Sequence, residues 1–172
     1  EAYTYHPLQF AALDQMEPMD DIMEEWKQSG RYDEVTNKYA IEKNFWNGHY
    51  WAVAYNMDIR PVYYRRDLLE AKGIAPPKTW DEYLDVASKI HGQDMNGDGQ
   101  ADYGSCIFKK RNAQSYFAIQ TVAASFVQTQ GTAQGFHFDG ATMKPVINND
   151  AWKKAFELYK ETGKYGPPEE LN

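Results

Sequence analysis

Nine residues in mid-chain, Asp94-Met-Asn96-Gly-Asp98-Gly99-Gln100-Ala-Asp102, set oxygen-bearing side chains at near-regular intervals. Asp, Asn, Asp and Asp fall at positions 1, 3, 5 and 9, Gly at position 6, and Gln100 offers its carbonyl at position 7. This matches the first nine places of an EF-hand-type calcium loop, in which about six to eight oxygens surround the ion on a tightly turned backbone. Position 12 departs from the pattern, because Ser105 stands where a bidentate Glu belongs. Reduced affinity, or a ligand from elsewhere in the chain, is the expectation. The alternative is an Asp/Asn/Gly turn that holds no metal. A calcium ion here would be structural, and no cofactor is required.

Two further stretches interleave polar planar groups with aromatics. One is Tyr55-Asn56-Met57-Asp58-Ile59-Arg60, and the other is Arg111-Asn112-Ala-Gln114-Ser-Tyr116-Phe117. Sugars are recognised by such sets: Asp, Asn, Gln and Arg bond neighbouring hydroxyls in pairs, and an aromatic face covers the apolar side of the ring. The structural alternative is a polar hinge and a helix cap.

Other chemistries find little support. His6, His49, His91 and His137 are scattered without metal-ligand spacing, as surface or core histidines would be. Cys106 is the single cysteine, which excludes an internal disulfide and a Cys-based zinc site. No serine sits in a nucleophile-elbow context, and Gly131 to Gly135 lacks the Lys-Ser/Thr of a phosphate loop. Carboxylates are plentiful, but nothing in the sequence selects an acid/base pair. Lys109-Lys110-Arg111 reads as a solvated strand end.

The elements that must hold these groups alternate in type. Two short helices are expected between Pro7 and Gly30, on Leu8, Phe10, Ala11 and Leu13 and then on Ile22, Met23 and Trp26. Another is expected through Val35, Tyr39 and Ile41. Tyr50 to Tyr55, Ile59 to Tyr64 and Tyr103 to Phe108 read as strands. Asp67 to Lys72 forms a short helix. Thr79-Trp-Asp-Glu82 is a capping box, in which Thr79 accepts from the third helical amide and Glu82 reaches back to the cap amide. Behind it Trp80, Tyr83, Leu84, Ala87 and Ile90 share a face. Gln114 to Val127 is helical, residues 131 to 149 are a loop and hairpin, and Ala151 to Thr162 is a helix. Asn149 or Asp150 caps that last helix, Trp152, Ala155, Phe156 and Tyr159 share its face, and Gly163 ends it. Strand–helix alternation favours an α/β layer architecture.

Composition narrows the class further. The chain has 172 residues, 42% of them hydrophobic and 25% charged, as in ordinary globular proteins. Aromatics reach 15%, more than a core of this size needs, so some rings are expected to face a ligand or partner. A net charge of −7 argues against a nucleic-acid partner. No apolar run approaches the roughly 18 residues of a membrane span. The chain begins at Glu1 without an initiator Met or a leader, as a mature product or an excised piece would.

The stretch Gly48 to Glu82, GHYWAVAYNMDIRPVYYRRDLLEAKGIAPPKTWDE, resembles the lobe-crossing segment of extracellular solute-binding proteins of carbohydrate ABC importers, the maltose-binding-protein-like family. The Arg-Arg-Asp-Leu-Leu to Thr-Trp-Asp-Glu block is the specific part. The aspartate-rich turn followed by Asp-x-Tyr-Gly, the Met-Glu-Pro-Met-Asp-Asp run and Gln114 to Gly131 resemble other family passages. Ala54 departs from the family, standing where Pro often precedes the Tyr.

The resemblance implies a periplasmic-binding-protein-like two-lobe α/β fold, here incomplete, because family members are more than twice this length. Residues 1–57 would be part of the first lobe, and 58–172 the crossover and much of the second. It places the hinge acid that contacts sugar on Asp58, with Arg60 beside it, and the second-lobe pair on Gln114 and Tyr116, with Phe117 adjacent. Function would be that of a non-enzymatic receptor, which closes on a sugar or polyol and delivers it to the permease subunits. Its place would be the periplasm or the cell exterior, with a lipid anchor as an option. The alternative is a carbohydrate-active enzyme or an accessory binding module. An open sheet edge along Tyr50 to Tyr55 would favour self-association.

Overall fold

The computed structural model describes residues 6–35, 38–53, 60–111, 113–128, 135–139 and 141–168, the side chains of Tyr39, Ala113 and Gln114 excepted. The chain divides into two compact units, Glu1–Arg60 and Pro61–Asn172.

In the first unit, α1 (His6–Ala12) and α2 (Asp20–Gln28) form where the apolar spacing predicts them. Their buried side chains are fewer than expected: Pro7, Ala11 and Met23 are covered, whereas Phe10, Leu13 and Ile22 stay exposed. The single helix expected through Val35 and Ile41 is instead two short ones, α3 (Arg31–Glu34) and α4 (Lys38–Glu42). Strands β1 (Phe45–Trp46) and β2 (His49–Tyr50) then make a minimal antiparallel hairpin. The Asp20 carboxylate ties α2 to it, accepting from the Tyr50 N–H at 2.9 Å and meeting His49 Nδ1 at 2.6 Å. The Tyr50 amide first, and the His49 ring next, hold the Asp20 carboxyl below its usual range.

The second unit is built on three helices, α6 (Trp80–Ile90), α7 (Ala113–Val127) and α8 (Asp150–Thr162), preceded by a short α5 (Arg66–Ala71). Val122, Ala123 and Val127 of α7 meet Trp152, Ala155 and Leu158 of α8 in the core. Trp80 and Leu84 of α6 pack on its edge. Spacings of three and four residues put these side chains on one stripe of each helix. Phe156, expected on that stripe, is exposed, since the buried face of α8 runs through Trp152, Ala155, Leu158 and Thr162.

Caps fix where the helices begin. Thr79 Oγ1 accepts from the Glu82 N–H at 3.1 Å, as the capping box predicts. The return bond differs, because Glu82 accepts from the Lys78 N–H at 2.6 Å, one residue before the cap. Asn149 Oδ1 accepts from the Trp152 N–H at 2.9 Å and so seats the largest core ring at the start of α8. The α-helix α8 ends at Gly163 as expected, and Gly163–Tyr165 follow as a single 3₁₀ turn.

The expected strands are largely absent among the described residues. Of Tyr50 to Tyr55 only Tyr50 joins a ladder, residues 51–53 are unpaired as strand, and 54–59 lie outside the described residues. Residues 60–64 and 103–108 also lack ladder partners. A strand is completed only by hydrogen bonds to another strand, and the local sequence cannot supply one. The 103–108 run is instead pinned by isolated contacts. Ser105 N–H donates to the Tyr165 carbonyl at 3.0 Å, Tyr83 and Ser105 hydroxyls meet at 2.8 Å, and Tyr159 donates to the Phe108 carbonyl. Gly104 lies so close to α6 that an added Cβ would be 1.9 Å from the Ala87 carbonyl oxygen.

The candidate aromatic site and its family

The first turns of α7 present Tyr116, Phe117 and, one turn later, Gln120. Tyr116 is 48% exposed, and its ring meets Phe117 edge-on at 5.6 Å. Beneath it lies His137, nearly parallel at 12° with ring centres 6.2 Å apart. His137 in turn stacks on the buried Trp152, at 29° and 5.4 Å. Phe136 stands edge-on to both lower rings, 4.6 Å from His137 and 5.0 Å from Trp152. Gln120 Nε2 reaches His137 Nε2 at 3.4 Å. Burial pushes the His137 imidazole below its ordinary value, because desolvation disfavours the charged ring.

This three-ring stack is assembled from distant parts of the chain. Residues 136–139 and 141–146 meet through a bridge between Phe138 and Pro145, with Val146 N–H donating to the His137 carbonyl at 2.8 Å. Trp152 is oriented by its cap and by its indole N–H, which donates to the Phe136 carbonyl at 3.3 Å. Chemically, a pinned ring with one open face offers an apolar platform that a sugar or polyol carbon face can cover.

Of the residues expected to bind ligand, Tyr116 and Phe117 are thus brought together, with Arg111 exposed just before α7. Arg60 is exposed at the end of the first unit. Asn56, Asp58 and Asn112, and the side chain of Gln114, lie outside the described residues. His137 was not expected from sequence, and its one signal was the aromatic interleaving of Phe136-His137-Phe138. Lys109 lies 5.5 Å from the Tyr159 ring centre and bonds the Ile107 carbonyl at 3.0 Å, so its charge is engaged by the protein itself.

A separate groove of about 460 Å³ runs between Val62, Tyr64, Pro76, Pro77, Trp80 and Phe126. Ten residues of α7, about 15 Å along its axis, separate Phe126 from Tyr116. Of the described residues expected to bind ligand, none lines it.

The 94–102 loop closes on its own amides. Asp94 accepts from the N–H groups of Gly97 at 2.7 Å, Asp98 at 3.2 Å and Gly99 at 2.9 Å. Asn96 accepts from Asp98, Asp98 from Gln100, and Asp102 from Met95, each at 2.8 Å. Gly99, at φ 84°, takes the left-handed turn expected at the sixth position. The Gly99 and Gly97 amides hold the Asp94 carboxyl below its usual range. Among the described residues, no three His, Cys, Asp or Glu side chains come together as a metal-holding group.

A sequence model of the bacterial extracellular solute-binding protein family matches residues 3–168. The chain belongs to that family. Among individual solute-binding relatives, a mannitol-binding protein of Pseudomonas aeruginosa is 24% identical over 167 residues, covering 95% of this chain and 34% of its own length. A diacetylchitobiose binding protein of Streptomyces coelicolor is 32% identical over 78 residues, or 45% of this chain and 17% of its own. An ABC transporter solute-binding protein from Agrobacterium radiobacter K84, solved in complex with ribitol, superposes with a TM-score of 0.61 at 20% identity. That likeness covers 94% of this chain and 38% of the other, and it shows the α/β binding-protein fold. This solute-binding chain therefore spans about a third of the length of the Pseudomonas relative.

Proposed function

We propose that this chain is part of the substrate-binding component of an ABC importer, which takes up a sugar or related polyol and delivers it to the membrane permease. The single observation that carries this is the family match across residues 3–168, whose relatives include proteins named for mannitol and diacetylchitobiose and one holding ribitol. The Tyr116 platform, open on one face and stacked on the other, supplies the apolar contact such a ligand needs. Asp58, Arg60, Asn56, Arg111, Asn112 and Gln114 would supply the hydrogen bonds to its hydroxyls. The end of the first unit at Arg60 lies close to the expected lobe crossing at residue 58. Binding of this kind belongs outside the cytoplasm, in the periplasm or at the cell exterior, with lipid anchoring as one means of retention. It requires no cofactor, and the oxygens of Asp94, Asn96, Asp98, Gln100 and Asp102 are proposed at most as a structural calcium site.

The family is one of binding proteins, and we read this chain as a receptor and not as an enzyme. Thermal-shift screening of the full-length gene product against sugars and polyols tests the proposal. A binding ligand raises the melting temperature with concentration. No shift at millimolar concentrations, or release of hydrolysed sugar, would overturn it.

A further inference from the structure

We propose that His137 is a positioning residue, the flat spacer that fixes the direction in which the open face of Tyr116 points. This rests on Tyr116 being a ligand contact, as proposed above. An exposed tyrosine at the start of a helix has several staggered rotamers open to it, and as a platform it must be held in one. The structure holds it from below. His137 lies 12° from parallel under Tyr116, and Trp152, 4% exposed, lies under His137. Trp152 is fixed at both ends, by Asn149 at its amide and by the Phe136 carbonyl at its indole N–H. The His137 main chain is fixed by Val146. Movement of the imidazole therefore passes upward to Tyr116.

The spacer works as a neutral ring. With the Gln120 amide donating, Nε2 must accept, which puts the single ring proton on Nδ1. Among the described residues, the groups placed against His137 are Tyr116 and Gln120 from α7, Trp152 from α8, and Phe136 beside it. None is a carboxylate that would hold an imidazolium. Asp139, two residues on, has its carboxylate engaged by the Thr142 hydroxyl and amide and the Ala141 amide. Protonation turns Nε2 into a second donor facing a donor and draws water to the ring, which loosens the stack.

Calorimetric titration of the full-length gene product with mannitol and ribitol between pH 8 and 5 tests this. Tyr116→Ala should abolish or greatly weaken binding. His137→Ala should weaken it by about three- to tenfold, the scale of one lost aromatic pair. His137→Phe, which keeps a flat ring, should bind within about twofold of wild type. Wild-type affinity should fall as the pH drops from 7 to 5, and that fall should be shallower in His137→Phe. If His137→Ala fails to fold, the comparison of these two pH profiles decides alone. Wild-type affinity in His137→Ala, with binding lost in Tyr116→Ala, would overturn the positioning role and leave the platform standing. Parallel pH profiles in wild type and His137→Phe would also overturn it. Unchanged binding in Tyr116→Ala would instead sink the platform itself. Should wild type bind neither polyol, near-ultraviolet circular dichroism of the stack, compared between wild type and His137→Phe from pH 7 to 5, still reads the spacer. A signal with the same pH dependence in both would overturn it.

Discussion

Helices α7 and α8 bury Val122, Ala123, Trp152 and Ala155 to 4% exposure or less, whereas the run from Val62 to Tyr64 leaves its side chains 49% to 89% exposed. Both regions are rich in apolar and aromatic residues. They differ in where their backbone bonds go. A helix satisfies its amides within a few residues, so its apolar stripe needs only another stripe to cover it, and α7 and α8 provide each other's. An extended run must borrow a partner strand before its side chains have anything to pack on. Among the described residues, 60–64 and 103–108 have no such partner. In a family whose members are longer than this chain, the helical layer is therefore the part that can organise itself locally.

The largest expected effect sharpens that contrast. In this chain Trp152→Ala should cost about 3–5 kcal/mol by chemical denaturation. Tyr63→Ala should change stability by less than about 0.5 kcal/mol. Similar losses at the two positions would show that the extended run is packed after all.

Next in size are the caps. Thr79→Ala and Asn149→Ala should each cost about 1 kcal/mol, because each leaves a helix-start amide without its acceptor. Asn149→Ala should also lower the Trp152 contribution to near-ultraviolet circular dichroism, since the cap orients that ring. An unchanged spectrum would mean that packing alone seats the indole.

A smaller effect on stability, but a visible one in solution, is expected at the exposed run. Light scattering behind size exclusion should show this chain associating with itself, and Val62→Lys with Tyr64→Lys should shift it toward monomer. Tyr63→Pro should leave the melting temperature nearly unchanged, since no ladder bond is lost. A large drop would place Tyr63 in a sheet.

The 94–102 loop gives the smallest expected change. Its Asp94 carboxyl has a pKa below the ordinary 3.8, so the stability it lends is complete above about pH 5 and is lost as the pH falls through the lowered value. Asp94→Asn should flatten the acid limb of the stability profile. Calcium should raise the melting temperature slightly, and a chelator should reverse that. No response to either would leave the loop a turn held by amides.

How much of this was legible in the sequence follows the same division. Helices α6 and α8 could be read from spacing and caps, because both signals are local. The runs read as strands find no ladder partners among the described residues beyond Tyr50, since pairing depends on residues far away. Glu82 bonding Lys78 instead of the cap amide is a choice between adjacent donors that spacing alone does not make. Tyr116 and Phe117 could be singled out by type, as aromatics at a junction. His137 could not, because its role exists only after the 136–146 turn brings it between α7 and α8. Asp58 and Asn112 belong to stretches outside the described residues.

Gly104 and Ala87 meet main chain to main chain, with 1.9 Å between the Ala87 oxygen and the place where a Cβ would go. Spacing there is gauged by backbone atoms, which no rotamer can adjust. Elsewhere in the core a methyl group more or less can be absorbed by neighbouring side chains. At this crossing nothing soft stands between the two backbone segments. A library of random variants selected only for soluble expression should therefore retain glycine at 104 while tolerating change at the open face of Tyr116. Selection for ligand uptake should reverse that leniency at 116 and leave 104 as it was. Intolerance in the first screen marks what the chain needs to assemble, and intolerance that appears only in the second marks what it needs to recognise.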